Sequence, residues 1–440
     1  MHAPAAPSKV TTARVFAIAG PAMVANLTTP LIGIVSTSAV GRLGDAALLG
    51  GVAMASVIFD CMFWLFAFLR MSTVAFTAQS IGAGEADELR ALLARALVVA
   101  GLIGAALILL QLPLAAILLT AMGGSATAAA KTYFAIRIWS APLALGNYVV
   151  LGWLIGQARA ALALSVQVTI NLVNMGVTVL LVLVLGAGIA GAAIAAVTAE
   201  AAGLLFGVLI ARRLLRGRLT VSRATLFDRA KLMRMLAVNR DIMIRTAALI
   251  AAFLFFTAQG ARSGDVTLAA NAVLNNFLLV SAFFLDGLAN AAEQLCGQAF
   301  GARDKTAFSG ATRLVVLWGL AFALAVAVVF ALFGPHLIDI MTASVDVRSM
   351  ARNFLVFVVV SPLLAVFAFA FDGVYIGATW ARDMRNLMVA SLGIFLAAWL
   401  ALRSFGNAGL WAALLVHYAA RGGLEAARYP ALLRSSFATA

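Results

Sequence analysis

Cysteine, histidine and charge are all scarce in this sequence, and each shortage excludes a class of function. The two cysteines, Cys61 and Cys296, sit in or beside apolar segments without metal-ligand spacing. They read as small buried hydrophobes, not as a redox pair or a metal site. His2, His336 and His417 form no metal pair. None of Lys9, Lys131, Lys231 or Lys305 follows a glycine, so there is no phosphate-cradling Walker loop and no built-in ATPase. No Gly-x-Ser-x-Gly elbow occurs either. An enzyme reading has no site to stand on, and no cofactor or resident metal is expected. Charged residues make up only 11% of the chain, against about 25% in soluble domains.

What fills the sequence instead is apolar. Hydrophobic residues account for 64% and the mean hydropathy is +1.05, the composition of an integral membrane protein. A spanning helix needs about 20 mostly apolar residues. Six such runs precede residue 212, at roughly 13–40, 48–69, 91–118, 132–156, 161–185 and 187–211. Six more follow residue 240, at roughly 241–261, 267–296, 308–334, 350–378, 386–404 and 407–428. The run from Val15 to Val40 is too long for a signal peptide, whose apolar region spans about 7–15 residues.

The second half repeats the first. Arg42-Leu-Gly-Asp45 recurs as Arg262-Ser-Gly-Asp265, an offset of 220 (262 − 42). Gln79 with Gly82 recurs as Gln298 with Gly301, and Gly152-Trp-Leu-Ile-Gly156 as Gly373-Val-Tyr-Ile-Gly377. Pro142 pairs with Pro362, and Pro113 with Pro335. Matches in one order at nearly one offset indicate a duplicated half. An even number of spans per half makes the repeats parallel, related by an axis along the membrane normal. The fold expected is all-α: twelve transmembrane helices in two parallel-related six-helix bundles. Their division is 1–211, a basic linker 212–240, and 241–440.

The net charge of +14 does not point to nucleic acid, because of where the charge lies. Between Arg212 and Arg240 stand nine basic residues and one acid, Asp228. Between spans this is first a topology signal and second a site for anionic lipid head groups. It puts the linker and both termini on the cytoplasmic side of a plasma membrane.

Charges at membrane depth are costly, about 2.5–3.5 kcal/mol on insertion scales, so each needs a reason. The acids in question are Asp60, Glu200, Asp286, Glu293 and Asp372, with Arg137 and Arg245 among the bases. Asp286, Asn290 and Glu293 share one helix face by spacing, and Asp241 is spaced to pair with Arg245. Each acid is either an ion-coupling carboxylate or a packing group held by a neighbour, with Asp372 and Asp286 the leading coupling candidates. Asn171 and Asn174 share a face, where amides bond across helices or line a cavity.

Residues spread over the chain carry a family resemblance. They are Phe68-Leu-Arg-Met-Ser-Thr73 with Thr77-Ala-Gln79, Asn239-Arg-Asp-Ile-Met243 with Arg245, and Gly260-Ala-Arg-Ser-Gly-Asp265. Further along come Asn271-Ala-Val-Leu274, Leu285-Asp-Gly287, Gly297-Gln-Ala-Phe-Gly-Ala-Arg-Asp304, Asp372-Gly-Val-Tyr-Ile-Gly-Ala-Thr379 and Met384-Arg-Asn386. In these the chain resembles the multidrug and toxic compound extrusion (MATE) transporters, in their bacterial DinF-like branch. The resemblance implies two bundles around a central cleft and export of organic, often cationic, compounds driven by H⁺ or Na⁺ entry. It also implies an aspartate in the first helix, within Val-Asp-Thr, and an acid four positions after the paired asparagines. Here those positions read Val35-Ser36-Thr37 and Thr178. Ser36, Asn171, Asn174 and Thr178 would then line a polar but uncharged N-terminal cavity, and the usual coupling group is missing.

The leading function is therefore an ion-coupled exporter of small organic molecules that works as a monomer in the bilayer. A flippase for lipid-linked or amphipathic substrates and a transport-inactive scaffold are the alternatives. A flippase would favour a broad cationic cleft, and few arginines beyond Arg137 and Arg245 lie deep.

Overall fold

The computed structural model describes residues 10–41, 46–122, 127–217 and 221–438, and among them there is helix and turn but no strand. The first repeat holds α1 (Thr12–Gly41), α2 (Ala46–Leu65), α3 (Phe68–Gly82), α4 (Ala86–Leu109) and α5 (Gln111–Met122). It continues with α6 (Thr127–Arg137), α7 (Ala141–Gly156), α8 (Ala160–Thr178) and α9 (Gly188–Leu214). After a short α10 (Arg223–Leu226) come α11 (Arg229–Arg262), α12 (Asp265–Gly301), α13 (Lys305–Met341), α14 (Val345–Gly377), α15 (Ala381–Leu402) and α16 (Gly406–Ser436). The Arg42–Asp45 copy of the repeat lies outside the described residues.

The first repeat shows more helices than expected spans because several spans are broken. α2 and α3 form one stretch, Gly50–Gly82, and α6 and α7 another, interrupted by a 3₁₀ turn at Ile138–Ser140 just before Pro142. Among the described residues, ten stretches are long and apolar enough to cross a membrane, and the last, Ala381–Ser436, contains both α15 and α16. With the apolar α1 the total is the twelve expected. Helices also overrun the apolar runs. α11 starts at Arg229, not near 241, because hydropathy marks the bilayer and not the helix end. Asp228 Oδ1 accepts from the Ala230 and Lys231 N–H groups at 3.0 and 3.1 Å, so the one acid of the basic segment caps that helix. The 37 residues of α12 rise about 55 Å, well beyond a hydrocarbon core of about 30 Å.

Clustering of contacts gives two compact units. One holds residues up to Met23, Ile81–Gly84 and the chain from Ala237 onward; the other holds Val24–Ser80 and Glu85–Leu236. The first half of α1 therefore packs with the C-terminal helices. Arg14 Nη2 donates to Gln298 Oε1 at 2.5 Å, Trp318 Nε1 donates to Thr12 Oγ1 at 3.3 Å, and Phe16 meets Trp318 edge-on.

The duplication is visible in the contacts themselves. In α7, a Cβ on Gly152 would come within 2.5 Å of the Arg70 carbonyl, and one on Gly156 within 2.7 Å of the Val74 carbonyl. In α14, a Cβ on Gly373 would strike the Ala289 carbonyl, and one on Gly377 would come within 2.6 Å of the Glu293 carbonyl. Glycines and carbonyls keep the repeat offset alike: 219 separates Val74 from Glu293 (293 − 74). Turn geometry is retained even where the sequence has drifted. Gly84 and Arg303 both have positive φ (74° and 54°), as do Ala158 and Thr379 (57° and 55°). Beside each turn an N–H reaches back five residues to a carbonyl: Glu85 to Ser80, Asp304 to Ala299, Arg159 to Leu154 and Trp380 to Tyr375, at 2.8–3.0 Å.

These glycines set a prediction. Gly156→Ala and Gly377→Ala push a methyl into backbone and should each cost about 1–3 kcal/mol. Gly176→Ala meets nothing within 4 Å and should gain about 0.5–1 kcal/mol. Thermal unfolding in detergent checks the contrast, which fails if the three variants melt together.

Candidate functional site

A buried charge cluster stands in the C-terminal unit, built from α11, α12, α14 and α16. α16 approaches α14 closely because residue 422 is glycine; a Cβ there would lie 2.7 Å from the Phe367 Cβ. That approach brings Arg421 to Asp372. Asp372 is 5% exposed, and its Oδ2 accepts from the Nη2 groups of both Arg245, on α11, and Arg421, on α16. Two guanidinium groups thus share one carboxylate oxygen. Asp372 Oδ1, Arg245 Nε and Arg421 Nε have no hydrogen-bond partner among the described residues. Arg421 also lies over the Phe369 ring, 5.6 Å from its centroid.

Three more acids surround these arginines. Glu293 on α12 is buried, and Asp286, seven residues earlier on that helix, is half-buried. Both act electrostatically on Arg245, as does Glu425 on α16. Glu425 is fully buried, and neither of its carboxyl oxygens has a hydrogen-bond partner among the described residues. Arg421 and Glu425 were missed by sequence reasoning. They sit near the end of the last apolar run, where basic residues read as cytoplasmic topology charges. Their i, i+4 spacing on an apolar helix was the available signal.

The expected Asp241–Arg245 pair does not form among the described residues. Asp241 instead accepts from Arg385 Nη1 at 2.7 Å and Arg240 Nη2 at 3.0 Å. Helical spacing makes the pair possible, but Arg385 and Arg240 are nearer partners for Asp241, and Arg245 points inward to Asp372.

The N-terminal unit holds a different arrangement. Glu200 on α9 accepts from Arg137 Nη2 at 3.3 Å and from Asn147 Nδ2 at 2.8 Å. Arg137 is further fixed by Ser140 Oγ at 2.5 Å and by the faces of Phe59 and Phe63. Asp60 is exposed, within the field of Arg137. On α8, Asn171 Nδ2 donates to Thr28 Oγ1 at 2.7 Å, and Gln167 Nε2 donates to Asn171 Oδ1 at 3.0 Å. Asn171 therefore makes the interhelical amide bond its position allows. Asn174 Oδ1 and Thr178 Oγ1 are buried without a partner. The Ser36 side chain lies outside the described residues.

Comparison with known proteins gives consistent matches. The MatE family model matches residues 21–180 and 242–399, two blocks that again differ by the repeat offset. DNA damage-inducible protein F of Escherichia coli (strain K12) is 38% identical over 408 residues, covering 92% of this chain and 89% of that protein. Protein DETOXIFICATION 44, chloroplastic, of Arabidopsis thaliana is 25% identical over 426 residues, covering 92% and 80%. Among solved structures, a MATE protein in a straight conformation superposes with a TM-score of 0.87 at 19% identity, covering 97% of both chains. A MOP superfamily transporter from Pyrococcus furiosus, described as having a binding pocket of reversed polarity, gives 0.84 at 18% identity over 96% of both.

The cluster's energetics can be tested directly. Asp372→Ala would leave two buried guanidinium groups without their shared acceptor, and breaking a buried pair in this way costs about 3–5 kcal/mol. Arg428→Ala, which removes the exposed Arg428–Asp383 pair at 3.0 Å, should cost under about 1 kcal/mol. Denaturation of the two purified variants side by side checks this ranking, and equal stabilities would refute it.

Proposed function

The chain belongs to the MatE family of multidrug and toxic compound efflux transporters, and we propose that it exports small organic cations by alternating access, driven by proton entry. The observation that carries this reading is the buried set of Asp372, Arg245, Arg421, Glu293 and Glu425 within one unit of a multi-pass membrane protein. Intramembrane ionisable groups are functional sites by default. Coupling requires an ion whose affinity differs between the conformations of the cycle, and a carboxylate that gains and loses a proton provides that difference.

The acids divide by their surroundings. Glu200 is committed to Arg137 and Asn147 and acts as a brace. Asp372 and Asp286, with Glu293, form the coupling region. Two guanidinium groups against Asp372 repel any further cation, which disfavours Na⁺ there, and the H⁺ we assign is carried by an acid of the cluster other than Asp372. Serine at position 36 and threonine at 178 put no carboxylate where the family resemblance implies one, and coupling rests on the C-terminal unit. Arg137, Arg245 and Arg421 are each engaged with a carboxylate, which speaks against the cationic cleft a flippase needs. We place the linker and both termini on the cytoplasmic side of the bacterial plasma membrane, with the protein working as a monomer.

Inverted membrane vesicles loaded with ethidium from outside test the reading. A pH gradient, acid inside, should drive accumulation and an Na⁺ gradient should not; the reverse result would overturn the ion assignment. The family resemblance implies a cavity position for Ser36, and on that implication Ser36→Asp should add a second pH dependence to that transport. An Asp variant that folds and transports with the wild-type pH profile would show that Ser36 does not face the pocket.

A further inference from the structure

Within the C-terminal cluster, Glu425 is the acid whose environment is least suited to carrying charge. It is 0% exposed, and neither Oε1 nor Oε2 has a hydrogen-bond partner among the described residues. An ionised carboxylate in that position would be both desolvated and unpaired, which buried charges do not tolerate. The neutral acid is the form that fits. Yet it stands one helical turn from Arg421 on the same helix, and the charges of Arg421 and Arg245 both act on it. Arg421 meanwhile reaches Asp372 through Nη2, on an oxygen it shares with Arg245, and its Nε has no hydrogen-bond partner among the described residues. The guanidinium thus has a spare donor and a second acceptor close by.

Resting on the exporter reading, we propose that Glu425 is the group that loads and releases the coupling proton, and that Arg421 passes from Asp372 to Glu425 when the proton leaves. The step balances simply. The carboxyl O–H bond of Glu425 breaks, the proton goes to a water molecule as hydronium, and the new carboxylate takes a donor from Arg421. Arg421 stays protonated throughout, and Asp372 keeps Arg245. On loading, the sequence reverses and Arg421 returns to Asp372. Since Asp372 belongs to α14 and Glu425 to α16, the exchange changes how these helices are tied. Because Glu425 is closed off from solvent here, water must reach it in another conformation, as alternating access requires.

The charges that act on Glu425 are those of Arg421 on its own helix and Arg245 on α11. Asp286 and Glu293 on α12 act in turn on Arg245, Arg245 acts on the buried His417 of α16, and Asp372 on α14 holds both arginines. Tyr375 on α14 feels Glu425 together with Asp383 on α15 and Arg428 on α16. Tyr375 donates its hydroxyl to the Glu425 backbone carbonyl at 2.7 Å, so it holds the helix and not the carboxyl group. Asp383 is paired with Arg428 at 3.0 Å.

Infrared difference spectra of the purified full-length protein, taken between acid and alkaline buffer, read the proton directly. Wild type should show the C=O band of a protonated carboxylic acid, shifted by deuterium exchange and bleached in alkali. Glu425→Gln should lose that band, and Asp383→Asn, at the exposed pair with Arg428, should keep it. In inverted vesicles, Glu425→Gln should lose ethidium accumulation driven by a pH gradient, and Glu425→Asp should retain it with a displaced pH midpoint. Persistence of the band in Glu425→Gln, or wild-type gradient-driven accumulation by that variant, overturns the proposal. Should Glu425→Gln fail to fold, an unmoved band in Glu425→Asp overturns it equally. A wild-type protein that bleaches the Glu425 band but accumulates no ethidium would sink the cation-exporter reading and leave the proton site standing.

Discussion

A guanidinium group buried in an apolar bundle must find its counter-charge within a few ångströms, and Asp372 supplies that counter-charge for two of them. The C-terminal unit is arranged around this constraint. α11 and α16 are drawn to α14 by one carboxylate oxygen. Glycines at 373, 377 and 422 let the backbones come close enough for the side chains to meet. The arrangement is strong in charge but incomplete in hydrogen bonds, since Asp372 Oδ1 and both arginine Nε groups are unpaired among the described residues. A polar network that is fully satisfied holds one arrangement, while an incompletely satisfied one keeps alternative partners within reach.

The N-terminal unit shows the opposite case. Glu200 has Arg137 and Asn147, and Arg137 has Ser140 and two aromatic faces as well. Here the charges are braced. Glu200 and Arg421 are 221 residues apart (421 − 200), within the range of offsets the repeat shows, and they carry opposite charges. The duplication has kept the skeleton of glycines, carbonyls and left-handed turns while the chemistry inside it diverged. Arg303, Ala158 and Thr379 show how firmly the skeleton is kept: each holds a positive φ without glycine, which costs roughly 1–2 kcal/mol per residue.

The twelve spans and the repeat were legible in the sequence because both rest on strong local signals: long apolar runs, and glycine and proline at a constant spacing. Helix ends were not, since α11 runs out of the bilayer into the basic segment on a cap made by Asp228. The depth of Asp372 was legible from its place in an apolar run. Its partners were not, because Arg245 has an acid at helical spacing, Asp241, that is drawn off by Arg385. Which of two acids an arginine meets depends on the positions of three helices. Arg421 and Glu425 were hidden for another reason: a basic residue near the end of an apolar run carries the same signature whether it faces cytoplasm or core.

That positions 36 and 178, where the family resemblance implies acids, carry serine and threonine becomes intelligible from this divergence. A carboxylate is costly in a bilayer and is retained where it does work or has a partner. In the N-terminal unit Glu200 keeps Arg137 and Asn147 as partners, and the polar positions Asn171, Asn174 and Thr178 on α8 carry no charge. In the C-terminal unit, four acids face two arginines, so the protonation of any one acid alters a balance that the others feel. Differential affinity for an ion needs only one site whose surroundings change. Once such a site exists in one half of a duplicated protein, the matching half can give up its own acids without giving up the helices that frame them.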